Sequence, residues 1–165
     1  MRLFIAIQLS EDMKREARRI QDQFRRRGVE GNYTREENFH LTLAFVGEYP
    51  DPDALLDVLE AIPLAPFELK LNGVGSFGDL WWLGLDRSEP LQAYVKRLRR
   101  ALSEAAIPYD RKRFSPHITL IRRAVSVAGR LPGVYVNPTD MRVEHVALMR
   151  SDRGKGGMVY TEISR

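Results

Sequence analysis

A four-residue signature that pairs a histidine with a threonine occurs twice in this chain of 165 residues. His40–Leu43 reads His-Leu-Thr-Leu, and His117–Leu120 reads His-Ile-Thr-Leu, 77 residues further along (117 − 40). Residues i and i+2 of a β-strand project from the same face, so each copy presents an imidazole beside a hydroxyl. Two imidazoles and two hydroxyls are suited to moving protons on either side of a phosphate whose oxygens the hydroxyls hold.

Composition places the chain among soluble globular proteins. Its 44% hydrophobic and 29% charged residues are typical of that class. No apolar run approaches the roughly 18 residues that a membrane span requires, and Met1–Ile7 is too short an apolar start for a signal peptide. The chain has no cysteine, which excludes a disulfide framework and a thiolate site. We expect a cytoplasmic monomer that does not contact membranes.

Basic residues slightly outnumber acidic ones and they cluster. There are 26 Lys and Arg against 22 Asp and Glu, a net charge of +4. Most of these charges are expected on solvated surfaces. A basic rim around the second signature would favour an anionic ligand. The basic runs are Arg25–Arg27, Arg97/Arg99/Arg100, Arg111–Arg113 and Arg122–Arg123.

Hydrophobic periodicity and turn residues predict a mixture of strands and helices. Ser10 is a suitable N-cap for a first helix, and Glu11 and Asp12 would stabilise its N-terminus. Asp51 caps a second helix, with Pro52 in its first turn. The predicted helices run from Glu11 to Arg27, Pro52 to Ala61 and Pro90 to Ala106; the predicted strands are Leu3–Gln8, His40–Val46, Phe67–Gly75, Leu80–Leu85, His117–Ile121, Arg142–Met149 and Met158–Ile163.

The order of these elements contains a larger repeat. In each half, strands and a helix lead to a strand that carries the His-x-Thr signature, although the two halves agree in sequence only at that signature. An internal duplication is therefore plausible. No linker separates two independent units, so we expect one domain over residues 1–165 with an α+β fold.

Two glycine-rich stretches resemble nucleotide-binding motifs but do not meet their requirements. Gly73–Gly78 matches G-x-G-x-x-G, yet the strand-like Leu80–Leu85 follows it where that fingerprint requires a helix. We predict a hairpin turn there. Gly154–Gly157 lacks the spacing of a P-loop and is predicted to be a loop, with Lys155 as a secondary candidate for contacting a substrate phosphate.

The third histidine lacks the repeated context. His145 lies in Val-Glu-His-Val without a threonine two residues on, so we predict a surface or structural role for it. The three histidines do not have the spacing of metal ligands, and no carboxylate accompanies the signatures at such intervals. The sequence therefore predicts no metal site and no cofactor.

Longer segments around the signatures resemble a known family. The paired His-x-Thr motifs are similar to those of the two-histidine phosphoesterases. Five further segments resemble the RNA 2′,3′-cyclic phosphodiesterase branch, also called RNA 2′,5′-ligase. They are Arg2–Ile7, Asn38–Gly47, Phe114–Leu120, Leu148–Ser151 and Gly157–Tyr160. The resemblance spans nearly the whole chain, and the motifs are more specific to the superfamily than the flanks are to the branch.

The resemblance implies two antiparallel sheets that face each other across a central cleft, with helices packed outside and a pseudo-twofold repeat. It implies that His40 is the proton donor and His117 the proton acceptor, and that Thr42, Thr119 and Arg122 bind the phosphate. The reaction would convert a 2′,3′-cyclic phosphate to a 2′-phosphate without a metal, and the reverse would be 2′,5′ ligation. On an ideal strand Arg122 would point away from His117, so the strand must end or twist between them.

The substrate implied is RNA with a 2′,3′-cyclic phosphate end, for which tRNA fragments are one candidate source. A cyclic phosphodiesterase for small nucleotides and a non-catalytic RNA-binding module are the alternatives. Aromatic side chains that could stack on a base are Phe4, Phe114 and Tyr160, each of which could instead belong to the core.

Overall fold

Nine strands and three helices build the protein. The structure, a computed structural model, describes residues 1–165. In chain order the elements are β1 (Arg2–Gln8), α1 (Glu11–Arg26), β2 (Glu30–Tyr33), a 3-10 turn (Glu36–Asn38), β3 (His40–Glu48), α2 (Pro52–Ala61), β4 (Phe67–Phe77), β5 (Leu80–Leu85), α3 (Glu89–Glu104), β6 (Ile118–Val125), β7 (Asp140–Val143), β8 (Ala147–Gly154) and β9 (Gly157–Ile163).

The strands form two antiparallel sheets, and each sheet contains one of the two strands that follow from the His-x-Thr signatures. The first sheet has the order β3-β1-β8-β9, and the second has β6-β5-β4-β7 with β2 added outside β6. In each sheet the signature-bearing strand, β3 or β6, pairs with the strand that precedes it across a helix, β1 or β5. Cα atoms of β3 and β6 approach within 8 Å across the two sheets. This arrangement confirms the predicted α+β fold and brings the two signatures to the junction of the sheets.

The helices begin where the sequence predicts because their caps are local. Ser10 accepts a hydrogen bond from the Met13 amide at 3.2 Å, and Asp51 accepts one from the Ala54 amide at 3.3 Å. Both contacts satisfy an amide that the first turn of a helix leaves without a partner. Helix α1 packs on β6 and β7, while α3 packs on β3 and α2 packs on α3.

One large core lies between the helices and the sheets. Its 31 buried apolar residues come from both sheets and all three helices. A smaller cluster lies on the opposite face of the first sheet and consists of Phe4, Ala6, Ala147 and Met149, with Phe45 and Tyr160 packed against it. No helix has the length and apolar character needed to cross a membrane.

Several predicted boundaries are wrong, and the errors share a cause. Arg142–Met149 is not one strand: residues 140–143 pair with β4 in the second sheet, whereas Ala147–Gly154 pairs with β1 in the first. β2 was not predicted because its sequence, Glu-Gly-Asn-Tyr, has no apolar alternation. In each case the hydrogen-bonding partner, not the local pattern, decides the strand.

The glycine-rich stretches belong to two hairpins. A strand follows Gly73–Gly78, as predicted, but the turn is shorter than that stretch: β4 runs to Phe77, which pairs with Leu80 of β5. Gly78 has φ of 59°, a left-handed conformation that suits glycine in a tight turn. Gly154–Gly157 is the turn of the β8–β9 hairpin.

Candidate active site

The first signature begins β3. The His40 Nδ1 donates to the Asn38 carbonyl oxygen at 2.7 Å, which leaves Nε2 as the nitrogen that reaches Thr42 Oγ1 at 2.8 Å. A carbonyl can only accept, so this contact fixes which ring nitrogen carries the permanent proton. The rings of Phe4 and Tyr160 lie 4.9 and 5.2 Å from the imidazole, centroid to centroid.

The second signature is anchored in the same way. His117 immediately precedes β6, and its Nδ1 donates to the Ser115 carbonyl oxygen at 2.7 Å. In both signatures the acceptor is therefore the carbonyl two residues earlier in the chain. Phe77 packs edge-on against the His117 ring at 5.0 Å, and Trp82 lies 6.5 Å from it. Each imidazole thus has its Nδ1 engaged by the backbone, which leaves Nε2 as the nitrogen that can face a ligand.

A β-bulge turns Arg122 toward the cleft. Along β5 and β6, Trp82 lies opposite Thr119 and Trp81 lies opposite Ile121, so two residues of β6 face one step of β5. Leu120 and Ile121 are consequently both buried, and the alternation of faces shifts by one. Arg122 then emerges on the same side as Thr119, which resolves the conflict that an ideal strand predicts.

The first signature has the same bulge. Ala6 lies opposite Thr42 and Ile5 lies opposite Ala44, so Leu43 is the extra residue and both Leu43 and Ala44 are buried. Phe45, five residues after His40, thereby takes the position in the first sheet that Arg122, five residues after His117, takes in the second. The pseudo-twofold relation therefore extends beyond the signatures, and the two halves differ at this position.

Two cavities meet at the junction of the sheets. The larger encloses about 770 Å³ and the smaller about 540 Å³. Thr42 lines the larger and Thr119 lines the smaller. His117 lines neither cavity, although it immediately precedes β6, whose Cα atoms come within 8 Å of those of β3. The side chains that line both cavities are His40, Arg122, Met158 and Tyr160.

The surroundings of His40 favour its neutral form. Burial lowers the pKa of His40 below its ordinary value, and the positive charges of Arg122 and His117 lower it further. The Asn38 carbonyl opposes them, because it accepts a stronger hydrogen bond from a charged ring. The neutral form of His40 is therefore favoured at neutral pH.

Only one of the sequence's basic runs contributes to the cavities. Arg122 lines both, whereas Arg99 donates to the carbonyls of Lys112 and Leu43 and serves the packing of α3. Of the basic rim predicted around the second signature, Arg122 lines the cavities, whereas Arg111–Arg113 and Arg123 do not. The other arginines that line the cavities are Arg2, Arg35 and Arg153, which belong to no run.

The aromatic candidates divide in a similar way. Phe4 and Tyr160 line the larger cavity. Phe114 lies outside both cavities and packs under the Arg99 guanidinium at 5.7 Å, so it is not placed to stack on a base there. Sequence reasoning missed Phe77, whose side chain is 46% exposed beside His117. Its only signal in the sequence was an aromatic residue within the predicted turn between two strands.

The remaining candidates do not line the cavities. His145 is exposed and its Nε2 lies 2.7 Å from a Glu162 carboxylate oxygen, which confirms the prediction of a surface position. Lys155 is exposed in the β8–β9 turn and lines neither cavity. No group of three or more His, Cys, Asp or Glu side chains is arranged to hold a metal ion.

Comparison with known proteins agrees with this geometry. The bilobal fold with one signature in each sheet is that of the two-histidine phosphoesterases. A model of the 2′-5′ RNA ligase superfamily matches residues 9–155, and the chain belongs to that family.

Individual relatives match over most of their length. An RNA 2′,3′-cyclic phosphodiesterase of Thermus thermophilus is 34% identical, with an alignment that covers 100% of this chain and 89% of the relative. One of Thermotoga maritima is 33% identical over 74% of this chain and 70% of its own length. The crystal structure of E. coli LigT complexed with 3′-AMP superposes with a TM-score of 0.84 at 28% identity, covering 99% of this chain and 95% of that one.

Proposed function

We propose that this protein hydrolyses 2′,3′-cyclic phosphate ends of RNA to 2′-phosphate ends. The observation that carries the proposal is the pair of histidines, each anchored through Nδ1 to the carbonyl two residues earlier, on the two strands that meet at one cleft. Relatives named RNA 2′,3′-cyclic phosphodiesterase, and a structural neighbour crystallised with 3′-AMP, support an RNA end as the substrate.

Two proton transfers complete the reaction. One imidazole takes a proton from water as the water oxygen attacks phosphorus. The other imidazole donates a proton to the 3′ oxygen as its bond to phosphorus breaks. The products are a 2′-phosphate and a 3′-hydroxyl, and the two histidines exchange protonation states. The same steps in reverse, with a 5′-hydroxyl in place of water, would give a 2′,5′ linkage.

The phosphate oxygens require donors, and three side chains of the cleft can supply them. Arg122 lies between the two cavities, and Thr42 and Thr119 line one each. An arginine and two hydroxyls could hold the nonbridging oxygens and stabilise the charge that develops in the transition state. Thr42 would exchange its present contact with His40 Nε2 for one with the phosphate.

The family resemblance and the pKa of His40 point to different roles for the two histidines. The family resemblance makes His40 the donor and His117 the acceptor. The lowered pKa of His40 in the free protein favours an acceptor instead. An anionic phosphate beside Arg122 would offset the positive charge of that arginine and return His40 toward its protonated form. We therefore retain His40 as the donor in the complex with substrate.

Single-histidine variants separate these roles. If His40 is the donor, His40→Gln should lose the alkaline limb of the pH profile of kcat/KM, and His117→Gln should lose the acidic limb. The opposite pattern would exchange the two roles. Mapping the product of an oligoribonucleotide that ends in a 2′,3′-cyclic phosphate tests the activity itself: a 3′-phosphate product or no turnover would contradict the proposal.

Small cyclic nucleotides as substrates, and RNA binding without catalysis, are the competing functions. The presence of both anchored histidines favours an enzyme over a binding module. The tRNA-fragment substrate, the monomeric state and the cytoplasmic location stay predictions from the sequence.

A further inference from the structure

The larger cavity extends well beyond the groups that the reaction requires. From His40 and Thr42 it follows β1 and β3 outward to the N-terminal end of β1, where it is lined by Arg2, Phe45, Glu48 and Arg153. We call this part, Arg2, Phe45 and Arg153, the outer arm. A cyclic phosphate and two proton-transfer groups do not need this extra space, so the outer arm requires an occupant of its own.

The charge of the outer arm is unbalanced. Arg2 and Arg153 have no carboxylate within 4.0 Å and no side-chain hydrogen bond. The two carboxylates that line the same cavity are already engaged, because Glu48 pairs with the N-terminal ammonium at 3.3 Å and Asp152 pairs with Arg150 at 3.0 Å. Two uncompensated guanidinium groups in one concave surface are complementary to an anion.

The smaller cavity does not offer the same complementarity. Its own arginine, Arg35, donates to the Met158 carbonyl and lies 3.5 Å from a Glu37 carboxylate oxygen. That guanidinium helps to hold the β8–β9 hairpin. An anion is therefore better matched by the outer arm than by the smaller cavity.

The pseudo-twofold relation explains how the anion contact is built. Phe45 takes the position that corresponds to Arg122 in the other sheet. The Arg2 guanidinium lies over the Phe45 ring with its Cζ atom 5.0 Å from the centroid. A planar cation over a ring face is stabilised there and keeps its edge donors free. In the first sheet, an arginine from the neighbouring strand β1 therefore lies at the position that corresponds to Arg122 in the second sheet.

The spacing suits the next phosphate of an RNA strand. Phe45 and Thr42 lie opposite Phe4 and Ala6 of β1, two residues apart, which corresponds to about 7 Å along a strand. This is comparable with the separation of neighbouring phosphates in RNA. We propose that Arg2, supported by Phe45 and Arg153, binds the phosphodiester on the 5′ side of the terminal nucleotide, so that the enzyme selects RNA ends over cyclic mononucleotides. This proposal rests on the proposed function.

Three substrates test the contact. The first is cytidine 2′,3′-cyclic phosphate, the second is a trinucleotide that ends in the same group, and the third is that trinucleotide with a neutral methylphosphonate next to the terminal nucleotide. We expect Arg2→Gln to lower kcat/KM for the trinucleotide by about 10-fold or more, chiefly through KM, because a charge-assisted hydrogen bond is lost. The loss on the cyclic mononucleotide should be several times smaller.

The methylphosphonate and the salt dependence distinguish this role from a structural one. On the methylphosphonate substrate, the kcat/KM of wild type should fall by about the same factor as that of Arg2→Gln falls on the natural trinucleotide. The variant acting on the methylphosphonate should have a kcat/KM little lower than either change alone produces. The slope of log kcat/KM against log salt for the trinucleotide should become shallower by about 0.7, the value for one phosphate contact on a single strand.

Arg97→Gln is the matched control, because Arg97 also lies over an aromatic ring, Tyr94, at 5.6 Å, but outside the cleft. It should behave as wild type. Equal losses of Arg2→Gln on mononucleotide and trinucleotide, or full additivity with the methylphosphonate, would overturn the contact. The contact would also be overturned if Arg2→Gln impaired only the reverse reaction, the joining of a cyclic end to a strand with a 5′-hydroxyl. Failure of the wild type to hydrolyse any of the substrates would instead overturn the proposed function.

Discussion

The two histidines share their anchoring but not their surroundings. His40 packs against the rings of Phe4 and Tyr160 and has a hydroxyl partner, whereas His117 touches the partly exposed Phe77 and has no hydroxyl partner of its own. Such a difference between otherwise equivalent groups is how one site provides an acid and a base from the same residue type.

Removing either imidazole should abolish most of the activity. We expect His40→Ala and His117→Ala each to lower kcat by at least about 10²-fold, because each removes one proton transfer. Thr42→Ala and Thr119→Ala should lose less. His145→Ala is the control within the same residue type, and its kcat should be near that of wild type. A His145→Ala enzyme as impaired as His117→Ala would show that the histidines are divided wrongly.

The burial of His40 should also make folding depend on pH. Because the pKa of His40 is lowered in the folded protein, the unfolded chain takes up a proton first as the pH falls, and the free energy of unfolding decreases. This contribution is complete above the ordinary histidine pKa and is lost below it. Urea unfolding of wild type and His40→Gln between pH 8 and 5 measures it: the variant should lose less stability than wild type, and parallel curves would contradict the assignment.

At the scale of elements, the bulge in β6 controls the direction of Arg122, and helix α1 supports that bulge. The Gln21 amide Nε2 donates to the carbonyl of Leu120, the extra residue of the bulge, at 3.0 Å and to the Thr34 carbonyl at 2.9 Å. Gln21 is only 3% exposed. The amide of Gln21 can be buried at this helix–sheet contact because it donates to two carbonyls whose hydrogen-bonding capacity the strand pairing leaves partly unused.

Gln21→Leu should therefore weaken both the fold and the site. We expect a loss of about 1–3 kcal/mol in the free energy of unfolding, since the Thr34 carbonyl loses the amide of Gln21 and the Leu120 carbonyl keeps only the Thr34 amide at 2.9 Å. Activity should fall about 10-fold through the misplacement of Arg122. Urea unfolding and kcat/KM, each measured also in an Arg122→Ala background, test this. In that background the stability loss should persist and the further loss of activity should be small.

Glu16 provides the control on the same helix. Its buried carboxylate binds Arg19 and Asn137, away from β6, and these hydrogen bonds lower its pKa although burial opposes them. Glu16→Gln should therefore cost stability at neutral pH while activity stays near that of wild type. If Glu16→Gln and Gln21→Leu reduced activity equally, Gln21 would act only through general stability.

At the scale of the molecule, the cavities are lined by the Thr42 and Thr119 hydroxyls and the Arg122 guanidinium, and no three carboxylate or histidine side chains are arranged to hold a metal ion. Hydrolysis should therefore persist in the presence of a chelator. Turnover across pH 4 to 9 with and without EDTA is the measurement, and the rate should peak between two apparent pKa values that belong to the histidine pair. A collapse on chelation that added divalent metal restores would replace this mechanism with metal-assisted hydrolysis.

Elements with local signals were predictable from the sequence. The caps at Ser10 and Asp51 depend on contacts within one turn, and the helices begin where those residues predict. The strand at Glu30–Tyr33 and the division of residues 142–149 between two sheets have no such signal. Their strand character comes from partners that are remote in the chain.

The sequence by itself determined the paired His-x-Thr signatures, the helix caps and the family. Only the tertiary structure decided that Arg122 faces the cleft, that Arg2, Phe45 and Arg153 line one cavity, and that Phe77 lies against His117. The physical reason is that a bulge, a cavity or a stacked pair depends on the register between strands that distant parts of the chain supply. The sequence shows which residue types are available for the chemistry, whereas the pairing of the strands sets the direction in which each side chain points.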